Sequence, residues 1–155
     1  EFFVLSDGNS NEKKHVKDIP LQSDSIVVFD RGYQNHKWFQ ELTLKNITFV
    51  TRTSKTTIYT LIGQLNLEET SSHILADERI KPTFLKYKCY LRRVRYRDPE
   101  TDRIYEFLTN NFEFEAQKIA DIYKKRWDIE NFFKWIKQHL KMKTFLGTAP
   151  NAVLS

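Results

Sequence analysis

Tyr123, Arg126, Glu130 and Lys137 are spaced Tyr-x2-Arg-x3-Glu-x6-Lys, and neither Gly nor Pro interrupts the chain between Ala116 and Leu146. At 100° per residue an α-helix turns Arg126, Glu130 and Lys137 to about 300°, 340° and 320° from Tyr123 at 0°, so the four side chains share one narrow stripe. A carboxylate set among two cations and a phenol in this way can be held rigidly and still meet a ligand. The ordinary alternative is a solvated helix face on which Arg126 and Glu130 form an i,i+4 pair. A second acidic candidate, Asp30, ends the apolar run Ile26-Val27-Val28-Phe29 and precedes Arg31-Gly32-Tyr33. Ligands of open α/β sheets collect outside the carboxyl ends of the strands, so an Asp there is a site candidate. Its ordinary role would be to cap the following turn.

The elements that must position these groups are legible around them. Ile122, Ile129, Phe133, Ile136 and Leu140 fall at about 260°, 240°, 280°, 220° and 260° on the same helix, an apolar stripe beside the polar one. The polar stripe is therefore expected on the margin of the buried face, with Lys124, Asp128, Asn131 and Gln138 on the far side. Tyr123, Trp127, Phe132, Phe133 and Trp135 lie all round this helix, and large aromatics outside a core stripe mark a partner surface. Upstream, Ile26 to Phe29 reads as a buried strand, His36 to Leu44 as a helix carrying Trp38, Phe39 and Leu42, and Ile47 to Val50 as the next strand. That is a βαβ unit.

Between the two acidic residues the chain turns basic and β-rich. Arg79, Lys81, Lys86, Lys88, Arg92, Arg93, Arg95 and Arg97 follow one another without an acidic residue. Alternation from Tyr87 onward predicts a strand with Arg93, Arg95 and Arg97 on one side and Val94 and Tyr96 on the other. The turn Asp98-Pro99-Glu100-Thr101-Asp102 then leads into Ile104 to Leu108 as a hairpin. Thr56 to Leu61 and Gly63 to Asn66 are candidate further strands. The basic strand suits either DNA phosphates or a solvated edge protected by its charge.

A net charge of +5 points to an anionic partner, and interleaved Tyr, Trp and Phe favour nucleic acid over a purely electrostatic surface. No apolar run approaches the length of a membrane span. Single Cys89 excludes an internal disulfide and a cysteine zinc site and fits a reducing cytoplasm. His15, His36, His73 and His139 lack metal-ligand spacing.

Asp30-Arg31-Gly32-Tyr33 after a hydrophobic strand, followed about a hundred residues later by the Tyr123, Arg126, Glu130 and Lys137 spacing, resembles the DDE transposases of the insertion-sequence-4 family. Phe49-Val50-Thr51-Arg52, Phe107-Leu108-Thr109-Asn110-Asn111, Arg126-Trp127-Asp128-Ile129-Glu130 and Phe145-Leu146-Gly147-Thr148 extend the resemblance over nearly the whole chain. It implies a mixed α/β fold: part of an RNase H-like, retroviral-integrase-like core over residues 1–50, a β-rich insertion over 51–112, and a C-terminal core helix with its following segment over 113–155. It also implies metal-dependent cleavage and strand transfer at insertion-sequence ends in a bacterial cytoplasm, by a protein that associates with the nucleoid when bound to DNA. Asp30 and Glu130 would be the second and third catalytic carboxylates and would hold two Mg²⁺ or Mn²⁺ ions, hard cations that take oxygen ligands and retain water. Tyr123, Arg126 and Lys137 would contact phosphates near the transposon end. Trp127 could stack on an unpaired base or pack internally. Arg93 and Arg95 are the candidate phosphate ligands of the basic strand. The partners implied are double-stranded DNA at terminal inverted repeats, target DNA and a second copy in a paired-end complex, with no membrane.

The chain departs from the family at the first catalytic Asp, for which no match is found. Asp7 in Leu5-Ser6-Asp7-Gly8 follows the edge-like strand Phe2 to Leu5 and reads as a turn. Asn11-Glu12 is the nearest match to a polar pair of the family. The chain is accordingly read as a fragment, inactive alone, in which the strands from Phe2 and Ile26 would lack neighbours, and whose last residues open a further helix. A non-catalytic remnant that serves as a basic DNA-binding module is the competing reading.

Overall fold

The computed structural model describes residues 2–5, 21–30, 36–53, 57–65, 73–83, 89–139 and 151–154. Strands β1 (Phe2–Leu5), β2 (Ile26–Phe29) and β3 (Thr48–Arg52) run parallel, with helix α1 (His36–Leu44) joining the last two. Strands β4 (Tyr59–Gln64), β5 (Ile74–Pro82), β6 (Leu91–Arg97) and β7 (Ile104–Thr109) form an antiparallel meander whose last strand pairs with β3. Helix α2 (Ala116–His139) follows, and β8 (Asn151–Leu154) returns antiparallel to β1. The result is one eight-stranded mixed sheet in the order β4-β5-β6-β7-β3-β2-β1-β8. The expected mixed α/β class and the βαβ unit are both present.

Side chains alternate across the sheet, and among the described residues each face receives one helix. Val27, Phe29 and Phe49 join Trp38, Phe39 and Leu42 of α1 in one core, while Val28, Val50, Val94 and Phe107 join Ile119, Ala120 and Tyr123 of α2 in the other. Burial on both faces is why β2 is an unbroken run of β-branched and aromatic residues. The end of α1 is equally determined. Asn46 takes a left-handed φ of 57°, its N–H donates to Thr43 O, and the Ile47 N–H donates to Leu42 O. These bonds satisfy the final helical carbonyls in a Schellman motif, and the buried pair Leu42 and Ile47 closes it.

Several expectations change here. Residues 74–82, of which the sequence marks only Arg79 and Lys81 as part of a basic stretch, form β5, paired on both sides, with Asp77 and Glu78 meeting arginines of β6. The two candidate strands around residue 61 are one strand with a bulge between Leu61 and Gly63. The basic strand begins at Leu91, and Tyr87 lies outside the described residues. The meander from β4 to β7 extends the core sheet through β3. β1 has neighbours on both sides, and residues 151–154 form a strand where a helix was expected. Asp7, Asn11, Glu12 and Leu140 lie outside the described residues.

Candidate DNA-processing site

Helix α2 buries the stripe that carries the chemistry. Ala116, Ile119, Ala120, Ile122, Tyr123 and Arg126 are buried, at about 20°, 320°, 60°, 260°, 0° and 300° on the helical wheel, so Ile122 of the expected apolar stripe is in the core. Tyr123 and Arg126 thus occupy the middle of the packed face, not its margin, while Glu130 one turn on is partly buried, as are Ile129, Phe133 and Ile136. The cause is the sheet, whose aromatic and aliphatic surface accepts the Tyr123 ring. Its centroid lies 4.9 Å from that of Phe107 and 5.2 Å from that of Trp127. One turn on, Arg126 Nη2 reaches Glu130 Oε1 at 2.7 Å, with the arginine side chain 4% exposed and the carboxylate 25% exposed. The i,i+4 pair exists, but it is rooted in the core and opens to solvent only at Glu130.

The same face receives Asp30. Val28 and Val50 belong to the α2-side core, and two residues on along each strand alternation brings Asp30 and Arg52 to that side. Parallel pairing of Phe29 with Thr51 sets them side by side at the carboxyl edge of β2 and β3. The Tyr123 hydroxyl registers all of these charges. Burial pushes its pKa up from 10.0 to about 12; Arg126 and Arg52 pull it down, while Asp30 and Glu130 push it further up. Asp30 and Glu130 are a hundred residues apart in sequence, yet both act electrostatically on one phenol. Among the described residues that hydroxyl is buried without a hydrogen-bond partner.

The structure therefore gathers Asp30, Tyr123, Arg126 and Glu130, and adds Arg52, which the sequence reading left as part of a matching phrase. Counting alternate residues from Val50 along a strand parallel to the one bearing Asp30 would have found it. Trp127 is partly buried, and its ring packs 4.9 Å from Tyr105. Lys137 is exposed near the end of α2, two turns beyond Glu130. Arg93 and Arg95 leave β6 on the opposite side from Val94, a residue of the α2-side core, and so on the face away from Asp30 and Glu130. Arg93 is also buried between Glu78, at 2.8 Å, and Glu106, so its charge is already compensated. Arg95 is more exposed and approaches Glu106 at 3.8 Å.

Carboxylates are hard oxygen donors suited to Mg²⁺ or Mn²⁺, which complete their coordination with water and phosphate. Among the described residues, no group of three or more His, Cys, Asp or Glu is placed to hold a metal. Asp30 and Glu130 each supply carboxylate oxygens of the kind such an ion takes.

Residues 1–154 match the protein family described as Transposase DDE domain. The chain belongs to this family. Across 96% of its length this transposase domain is 31% identical to a protein of Sinorhizobium fredii named as the transposase y4zB. Across 84% it is 30% identical to one of Geobacillus stearothermophilus named as a transposase for insertion sequence element IS5377. A shorter match, 49% identical over 24% of the chain, is to a protein of Synechocystis named as a transposase for insertion sequence element IS4SA. The domain spans 43% and 35% of the first two relatives. A mixed sheet with helices on both faces agrees with the RNase H-like fold of DDE transposases. No helix among the described residues is long and apolar enough to cross a membrane.

Proposed function

We propose that this domain supplies Asp30 and Glu130, the second and third acidic residues, to an insertion-sequence-4 type transposase that cleaves DNA at insertion-sequence ends and joins it to a target. The observation that carries this reading is that Asp30, at the carboxyl end of β2, and Glu130, on the helix packed over that side of the sheet, both lie within electrostatic reach of Tyr123. Divalent ions, when bound, would polarise the attacking water or 3′-hydroxyl and offset charge on the leaving oxygen. The chain's own residues prepare that event. Asp30 is fixed by a strand buried on both faces, and Glu130 is oriented by the buried Arg126. Tyr123 offers its hydroxyl to a phosphate oxygen, and Arg52 and Arg126 counter the strand's charge. Lys137 extends the cationic track along α2. Arg93 has no part in this surface, and Arg95 at most borders it. We place the first carboxylate outside this chain, which by itself then carries out no strand transfer. The partners are terminal inverted repeats, target DNA and a second transposase copy, in the bacterial cytoplasm.

The test is Mg²⁺- or Mn²⁺-dependent nicking of terminal-repeat DNA by the transposase polypeptide that carries this domain. Asp30→Ala and Glu130→Gln are expected to lower nicking by at least about a hundredfold while DNA binding persists. Gln is preferred at position 130 because it leaves the buried Arg126 an acceptor. If both variants bind and nick as the parent does, the assignment fails and a non-catalytic DNA-binding role takes its place.

A further inference from the structure

We infer that Tyr105 is a positioning residue, whose ring holds the Arg52 guanidinium at the carboxyl edge beside Asp30 so that it meets a phosphate of the processed strand. This rests on the function proposed above. Tyr105 lies in β7, which pairs antiparallel with β3 so that Arg52 stands opposite Phe107. A long side chain leaving Arg52 on the α2 face passes over the residue two along from Phe107, which is Tyr105. The Arg52 guanidinium carbon sits 5.3 Å from the centre of that ring. A cation over a π face at this distance is attracted by the ring quadrupole, and a planar guanidinium can lie along it in a way an ammonium cannot.

The ring itself is held in turn. Tyr105 stacks on Phe107 at 6.2 Å with only 7° between the planes, and meets Trp127 at 4.9 Å. Trp127 is edge-on to Tyr123, the residue on which both carboxylates act. A continuous aromatic shelf of Phe107, Tyr105, Trp127 and Tyr123 therefore links the strand that presents Arg52 to the helix that presents Glu130. Tyr105 is partly buried, and its role in this scheme needs the ring, not the hydroxyl.

Tyr105→Phe, Tyr105→Leu and Arg52→Lys, each made in the transposase polypeptide, test this with its own insertion-sequence end and Mg²⁺. Phe keeps the π face and is expected to nick at the parent rate. Leu keeps bulk without the quadrupole and is expected to lose roughly tenfold in turnover. In an Arg52→Ala background the same Leu substitution should cost nothing further, whereas a purely structural Tyr105 gives independent losses. Arg52→Lys does not depend on core packing: it should bind DNA with an unchanged salt slope yet lose turnover, since the charge stays and the flat contact goes. Full turnover by the Leu or Lys variant, or additive losses in the double variant, overturns the inference. Asp30→Ala runs alongside: if it nicks normally, the functional reading has failed, and the Tyr105 result is then judged on the coupling to Arg52 alone.

Discussion

Tyr123 has the least ordinary surroundings of any side chain in the site. A phenol this buried keeps its proton up to about pH 12, whereas in the unfolded chain it gives it up near 10. Between those values the unfolded state binds fewer protons than the folded one, so stability falls as pH rises through this window and is fully present below it. Tyr123→Phe removes the effect. Urea unfolding of the two proteins from about pH 9 to 12 should show their stability difference shifting by on the order of 2 kcal/mol toward the variant; parallel curves would mean that water reaches the ring. Near neutrality the hydroxyl has no partner to lose among the described residues, so the Phe variant is expected to be as stable as the parent. At this scale Tyr123, Arg126 and Glu130 were legible as a group, because helical periodicity alone aligns them. That they face the core was not legible. The apolar stripe through Ile129 and Phe133 looked like the better packing face, and only the surface offered by Phe107 and Val94 shows otherwise.

Helix α2 is set on the sheet by a polar strut. Arg92 of β6 is buried and bonds Asp77 through Nε at 2.8 Å and Nη2 at 2.7 Å. Its Nη1 donates to the carbonyls of Asn111 and Phe114, immediately before the helix begins. One guanidinium thus ties β5, β6 and the entry to α2, and so helps set where Glu130 emerges. Asp77→Ala leaves a buried cation without its counter-charge and is expected to cost about 3–5 kcal/mol in urea unfolding. The double change Asp77→Leu with Arg92→Met should recover most of that loss, because it removes both charges. A mild effect of Asp77→Ala alone would show that solvent reaches the pair. In sequence this region is a basic strand that suits either DNA phosphates or a solvated edge protected by its charge. The acidic halves of the pairs, Asp77 and Glu78, stand on a strand the sequence reading did not identify, and charge composition says nothing of which cations are already matched.

The whole molecule carries +5, but that charge is not evenly available. Arg92 and Arg93 are neutralised within the sheet, whereas Lys137 is exposed on the side of the molecule that carries Glu130. DNA affinity should therefore depend on salt through α2 and the carboxyl edge, not through β6. Lys137→Ala is expected to reduce the slope of log affinity against log salt by about 0.9, the signature of one lost phosphate contact. Arg93→Gln should leave that slope unchanged while lowering folding stability, since Glu78 and Glu106 lose their shared cation. An equal loss of slope from both would restore β6 to the DNA surface. What the sequence by itself determined was local and periodic: the βαβ unit, the hairpin after Arg97, the long helix, and the spacing that resembles a DDE transposase. Each follows from side-chain alternation, turn chemistry or helical geometry within a few residues. Only the tertiary structure decided which stripe of α2 is buried, which arginines are matched, and that Arg52 stands beside Asp30. Those outcomes depend on strand order and register between separate segments: alternation along β3 gives the side on which Arg52 leaves the strand, but only the pairing of β2 with β3 sets it level with Asp30.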